Sequence, residues 1–143
     1  MDARVATMPA RSLREFSKPR LWLAIWGFGW VLAIVLSLIR PPSLGLDVPE
    51  SDKLGHLLAY FVLSAWAVNL FARPRAWGLA ALALVALGVG IEWAQGSLTD
   101  TRLRDPRDAV ANTIGVALGL LVGLGRLQRL LQALDRRLFG HRS

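Results

Sequence analysis

The chain has 143 residues, 54% of them hydrophobic, and 17 Lys and Arg against 10 Asp and Glu, for a formal net charge of +7. Its mean hydropathy is +0.42. The apolar residues fall in long runs with Arg gathered at the run ends, a pattern that points to a bilayer rather than a soluble core, and to orientation in a membrane rather than nucleic-acid binding. The length allows one domain, and the absence of Cys excludes disulfides, thiolate chemistry and Cys-ligated metals.

Residues 1–20 are polar and basic, with Arg4, Arg11, Arg14, Lys18, Arg20, Pro9 and Pro19. They read as a cytoplasmic tail that is loose until Lys18. Leu21–Ile39 is then charge-free over 19 residues, close to the roughly 20 that a spanning helix needs. It is longer than the apolar core of a cleavable signal and ends in Arg40-Pro41-Pro42, so it reads as an uncleaved span. Trp22, Trp26 and Trp30 recur every four residues as a packing stripe.

A Pro-containing loop, 40–51, leads to a second span, Leu54–Ala72, opened by the N-cap pair Ser51-Asp52. Arg73-Pro74-Arg75 is expected to be a tight turn. The third span, Ala76–Leu98, carries no charge until Glu92. After a charged loop, the fourth span is Asp108–Gly125, with Gly115, Gly119 and Gly123 on one face for close helix approach. The segment 126–143 has Leu127, Leu130, Leu131, Leu134 and Leu138 at helical spacing, with Arg126, Arg129, Arg136 and Arg137 mostly elsewhere. That suits a helix lying on an anionic membrane surface. The expected fold is all-α: a polytopic membrane domain over 21–125 with four transmembrane helices in a bundle, between a basic tail (1–20) and an amphipathic helical tail (126–143).

With the N-terminus inside, the inner segments hold 12 Lys and Arg and the outer loops 5. Both termini are therefore expected in the cytoplasm. Glu92 then lies about 24 Å along its span at 1.5 Å per residue, several ångström below the outer end of a hydrocarbon core of about 30 Å. A carboxylate there is expensive, and such residues mark sites or ion pairs. Helical spacing puts Asp52, His56 and Tyr60 on one face, Glu92 and Gln95 on another, and Asp105, Asp108 and Asn112 on a third, all at one level. On the cytoplasmic side, Asn69 is the comparable polar residue.

These residues carry a family resemblance. Asp52-Lys53-Leu54-Gly55-His56-Leu57-Leu58-Ala59-Tyr60 resembles the D-K-x-x-H-x-x-x-Y opening of the VanZ-like membrane proteins. Glu92-Trp93-Ala94-Gln95 followed by Arg102, Asp105, Asp108 and Asn112-Thr113-Ile114-Gly115 resembles their E-x-x-Q … R-x-x-D-x-x-D-x-x-x-N-x-x-G signature, in the same order and spacing. The resemblance covers about residues 50–123. It implies a small bacterial inner-membrane protein of roughly four helices, in a family associated with resistance to the glycopeptide teicoplanin; it supplies no reaction. Arg104 and Arg107 depart from the pattern by making the loop more basic.

The candidate ligand-binding set is Asp52, Lys53, His56, Glu92, Gln95, Arg102, Asp105, Asp108 and Asn112. Glu92 reads either as a carboxylate paired with Arg102 or Lys53 or as a site carboxylate with its charge disfavoured by burial. His56 reads as a hydrogen-bonded helix-start residue or a proton carrier. Asp52, Asp105 and Asp108 suit helix starts, and Gln95 and Asn112 suit interhelical hydrogen bonds. Lys53 and Arg102 are suited to an anion. No metal site is expected, since no HExxH or comparable spacing occurs, and no cofactor. The expected partners are membrane lipids and an anionic lipid-linked envelope precursor, with no nucleic acid. Binding is the first reading. An enzyme with His56, Glu92 or Asp108 as catalytic candidates is the alternative, and a small transporter a third.

Overall fold

The computed structural model describes residues 12–39, 51–98 and 105–140. Among them it has five α-helices: α1 (Pro19–Leu38), α2 (Ser51–Leu70), α3 (Pro74–Leu98), α4 (Pro106–Leu121) and α5 (Leu130–Phe139). Short 3-10 turns, Val122–Leu124 and Arg126–Arg129, join the last two. Four helices are long and apolar enough to cross a membrane.

Proline sets three of the starts. Pro19, Pro74 and Pro106 each open a helix, where the missing N–H is one that a helix leaves unbonded anyway and the fixed φ suits the first turn. The turn accordingly falls at residues 71–73, two residues earlier than the sequence suggests, because Pro74 and Arg75 already belong to α3. At the other end of α4, the helix tightens at Val122 instead of running to Gly125, in a stretch where Gly123 and Gly125 favour helix least.

The helices run up and down. α2 is the centre: 44% of its most apolar stretch is buried, against 17% for α1. α1 buries only Trp22, Ala33 and Ser37 and exposes Phe28, Val31 and Leu36. Glycine sets the tightest crossing. A methyl group at Gly115 would strike the Leu57 carbonyl, and one at Gly119 would lie 2.6 Å from the Phe61 carbonyl. α4 therefore lies backbone to backbone on α2, as the small-residue face predicted. The core between them holds Tyr60, Leu63, Leu84 and Val116, with Trp26 and Trp30 packed against it. Trp26 and Trp30 meet edge to face at 5.5 Å, and Trp26 Nε1 donates to the Leu63 carbonyl at 3.0 Å. The tryptophan stripe is thus a packing stripe.

The N-terminal tail departs from the loose segment expected, and the C-terminal tail is a helix as expected. The described part of the N-terminal tail, from Ser12, packs on the bundle. Arg14 N–H donates to Leu70 O and Ala72 N–H to Ser12 O, both at 2.8 Å, so this segment pairs with the end of α2. The C-terminal segment does not lie apart from the bundle. α5 buries Leu131 and Asp135 against it, while Leu127, Leu130, Leu134 and Leu138 stay exposed. Asp135 holds both tails in place. Its Oδ2 accepts the Ser17 N–H at 2.6 Å; its Oδ1 accepts Trp22 Nε1 at 2.8 Å and the Lys18 N–H at 3.3 Å. Burial raises the pKa of this carboxyl, but these donors outweigh burial and hold it below the usual range. Nearby, Asn69 Oδ1 accepts the Leu131 N–H at 3.2 Å. Arg14 donates to the Val68 carbonyl and to Gln128 Oε1. One buried carboxylate thus ties the N-terminal segment, α1 and α5 together.

Candidate functional site

At the opposite end, α2 and α4 run side by side in the same direction and in register. Lys53, His56, Tyr60 and Ser64 of α2 stand opposite Asp105, Asp108, Asn112 and Val116 at the head of and along α4, with steps of three, four and four residues on each side. Steps of that size keep residues on one helix face, so the pairs form successive rungs. In the first, Lys53 Nζ lies 3.6 Å from Asp105 Oδ2, at a half-exposed rim. In the second, His56 Nε2 lies 3.7 Å from Asp108 Oδ2, both side chains buried. In the fourth, Ser64 Oγ donates to the Val116 carbonyl at 2.8 Å.

The third rung is different. Tyr60 and Asn112 are each 1% exposed. Among the described residues the Tyr60 hydroxyl and both polar atoms of the Asn112 amide lack a hydrogen-bond partner. Asn112 packs against α3: a methyl group at Gly88 would meet its Nδ2 at 3.0 Å.

Glu92 enters from α3, one turn beyond Gly88 and 3% exposed. Its Oε2 accepts the Asp105 N–H at 3.1 Å. Its Oε1 is buried and has no hydrogen-bond partner among the described residues. Glu92 lies within electrostatic range of Asp108, His56, Asp105 and Tyr60. The tilt of helical side chains toward the helix N-terminus carries the Tyr60 hydroxyl upward, toward Glu92 and the rim. Each buried polar group left without a partner costs about 1–3 kcal/mol. Glu92, Tyr60 and Asn112 therefore form a polar nest that the fold makes at its own expense.

Asp105 has two tasks. It is the N-cap of α4, its side chain accepting the Arg107 N–H at 2.9 Å. That bond, with Lys53 beside it, holds the carboxyl below the usual carboxylate range. Asp108 stands in the first turn of α4, where the helix dipole favours a negative charge.

Of the residues singled out from sequence, Lys53, His56, Glu92, Asp105, Asp108 and Asn112 come together. Gln95 reaches another element: its Nε2 donates to the Ser37 carbonyl of α1 at 2.7 Å, the interhelical bond expected of it. Asn112 makes no such bond among the described residues, a correction to its expected role, because the residue opposite it on α3 is Gly88. The Asp52 side chain and Arg102 lie outside the described residues. Tyr60 and Ser64 were missing from the candidate set. Tyr60 carried a signal, its spacing of four from His56. Ser64 carried none, since its partner is a backbone carbonyl. No group of three or more His, Asp or Glu side chains suited to a metal ion occurs among the described residues.

Fold and site together define an all-helical protein with four membrane-length apolar helices and a polar ladder between two of them at one end. No family model matches the chain, and no solved structure does. It is 32% identical over 116 residues to an uncharacterized Schizosaccharomyces pombe protein, C11E3.10, across 78% of this chain and 70% of that protein. The chain belongs to the family of that fungal protein.

Proposed function

We propose that this protein spans the membrane four times with both termini in the cytoplasm, and binds the polar part of an anionic lipid or lipid-linked precursor at the ladder end, on the outer face. The observation that carries this reading is the nest of Glu92 Oε1, the Tyr60 hydroxyl and the Asn112 amide, which lack partners among the described residues beneath a rim holding Lys53. A buried polar group left unsatisfied calls for an explanation, and an ionisable one such as Glu92 inside an apolar helix bundle marks a functional site. Lys53 supplies positive charge for a phosphate, and Arg102, outside the described residues, is the second cation the sequence offers. The likeness to the VanZ-like signature is carried by the same rungs and supports the same site. That likeness connects the protein to a bacterial inner membrane and to glycopeptide resistance. A relative in a fungus favours a ligand that does not depend on a bacterial envelope, which a membrane lipid satisfies.

Mass spectrometry of lipids co-purified with the wild type, Lys53→Ala and Arg102→Ala tests this. The wild type is expected to carry a selected anionic lipid that both variants lose; identical lipid profiles would contradict it. Reporter fusions in the 99–104 loop test the topology, and a cytoplasmic signal there would overturn the outer-face placement.

The enzymatic reading has its own observation, the buried His56–Asp108 pair. A carboxylate that orients an imidazole is the arrangement of a general base. Under that reading His56→Asn and Glu92→Gln abolish turnover while ligand still binds. Under the binding reading, retention follows Lys53 and Arg102 and tolerates His56→Asn.

A further inference from the structure

The hydrogen-bonding inventory of the nest narrows the ligand. Glu92 Oε1 is an acceptor when ionised. Asn112 offers an acceptor in Oδ1 and a donor in Nδ2, and the Tyr60 hydroxyl can do either. A phosphate oxygen only accepts: it would meet Glu92 as a like charge and leave Asn112 Oδ1 unmatched. A primary ammonium only donates, leaving Asn112 Nδ2 without an acceptor. A hydroxyl does both at one atom. Two neighbouring hydroxyls can donate to Glu92 Oε1 and Asn112 Oδ1 while accepting from Asn112 Nδ2 and the Tyr60 O–H.

The rim lies within a headgroup's reach of the nest. Lys53 Nζ is 3.6 Å from the Asp105 carboxylate, and the Asp105 N–H is 3.1 Å from Glu92 Oε2. One residue, Asp105, thus separates the rim cation from the nest carboxylate. A phosphodiester can sit at Lys53 while the alcohol it carries turns inward.

We infer that the nest of Glu92, Tyr60 and Asn112 selects a headgroup bearing neighbouring hydroxyls beyond its phosphate, a glycerol or a sugar. The assignment rests on the lipid-binding reading above and names the chemistry of that same site.

The full chain in detergent is mixed with phosphatidylglycerol, phosphatidic acid or phosphatidylethanolamine at equal concentration, and bound lipid is read by native mass spectrometry. Phosphatidylglycerol carries both phosphate and diol, phosphatidic acid the phosphate without the diol, and phosphatidylethanolamine an ammonium in its place. Phosphatidylglycerol is expected to be retained about five- to tenfold over either competitor, the value of one or two net hydrogen bonds. Tyr60→Phe, which keeps the ring, is expected to bring phosphatidylglycerol down toward phosphatidic acid; Asn112→Ala is the second variant, with the melting temperature confirming that each is folded. Equal retention of phosphatidic acid and phosphatidylglycerol by the wild type would overturn the hydroxyl assignment and leave the anion reading standing. Preference for phosphatidylethanolamine would overturn it in favour of an ammonium. Retention of none of the three above background would overturn both readings, with the nest then a place for buried water.

Discussion

The two ends of this bundle treat buried carboxylates in opposite ways. At the end where the N-terminal segment meets α5, Asp135 is 2% exposed, and three N–H donors converge on it from Ser17, Lys18 and Trp22. At the other end Glu92 is 3% exposed, yet only one of its oxygens is bonded among the described residues, and Tyr60 and Asn112 beside it are bonded less still. A satisfied buried carboxylate stabilises a fold, whereas one held half-satisfied costs stability. The first end is a clasp. The second carries the marks of a site, which proteins retain at a cost in stability.

Replacing Asp135 should have the largest effect. Asp135→Ala strands the Trp22 indole N–H and two backbone N–H groups, and is expected to cost about 3–9 kcal/mol at about 1–3 kcal/mol per stranded group. Thermal unfolding in detergent would read it, and proteolysis of the N-terminal segment should rise in step. A melting temperature like the wild type's would reduce the clasp to an incidental contact.

Next comes the register of the ladder. Gly115→Val places a side chain against the Leu57 carbonyl; overpacking of this kind costs about 1–3 kcal/mol. By prising α4 from α2, it should also reduce lipid retention at the rungs. Gly125→Ala, which meets nothing within 4 Å, should do neither.

The smallest effect is with pH. The Asp135 carboxyl titrates below its ordinary 3.8 in the folded chain. Its contribution is therefore fully present above that ordinary value and lost as pH falls through the lower folded one. The melting temperature of the wild type should fall more steeply below about pH 4 than that of Asp135→Asn, and parallel slopes would break the assignment.

Much of this was legible in the sequence. Apolar runs gave the four long helices to within a few residues, and the spacing of Gly115 and Gly119 gave the face on which α4 meets α2. Charges at helical spacing placed Lys53, His56, Glu92, Asp105 and Asp108 at one level. What stayed hidden was pairing across the chain. Asp135 gives no signal in the sequence, because its donors are more than 100 residues away at Ser17, Lys18 and Trp22. The run from Ser12 looked loose because its partners are backbone groups of α2, which have no sequence signature. The emptiness of the third rung depends on Gly88 being the residue opposite Asn112, a matter of helix rotation that periodicity does not fix.

Tyr60→Phe and Trp22→Phe together test the contrast most directly, each removing one buried donor from one end. Melting temperature and retained lipid are measured on the same preparations. The expected result is a double dissociation. Tyr60→Phe matches or exceeds the wild-type stability, by up to about 1–3 kcal/mol, since it removes a buried hydroxyl that has no described partner, and loses lipid; Trp22→Phe loses about 1–2 kcal/mol, since Asp135 loses a donor, and keeps its lipid. If Tyr60→Phe unfolds as readily as Trp22→Phe while lipid retention is unchanged in both, the ladder end is a second clasp and not a binding site.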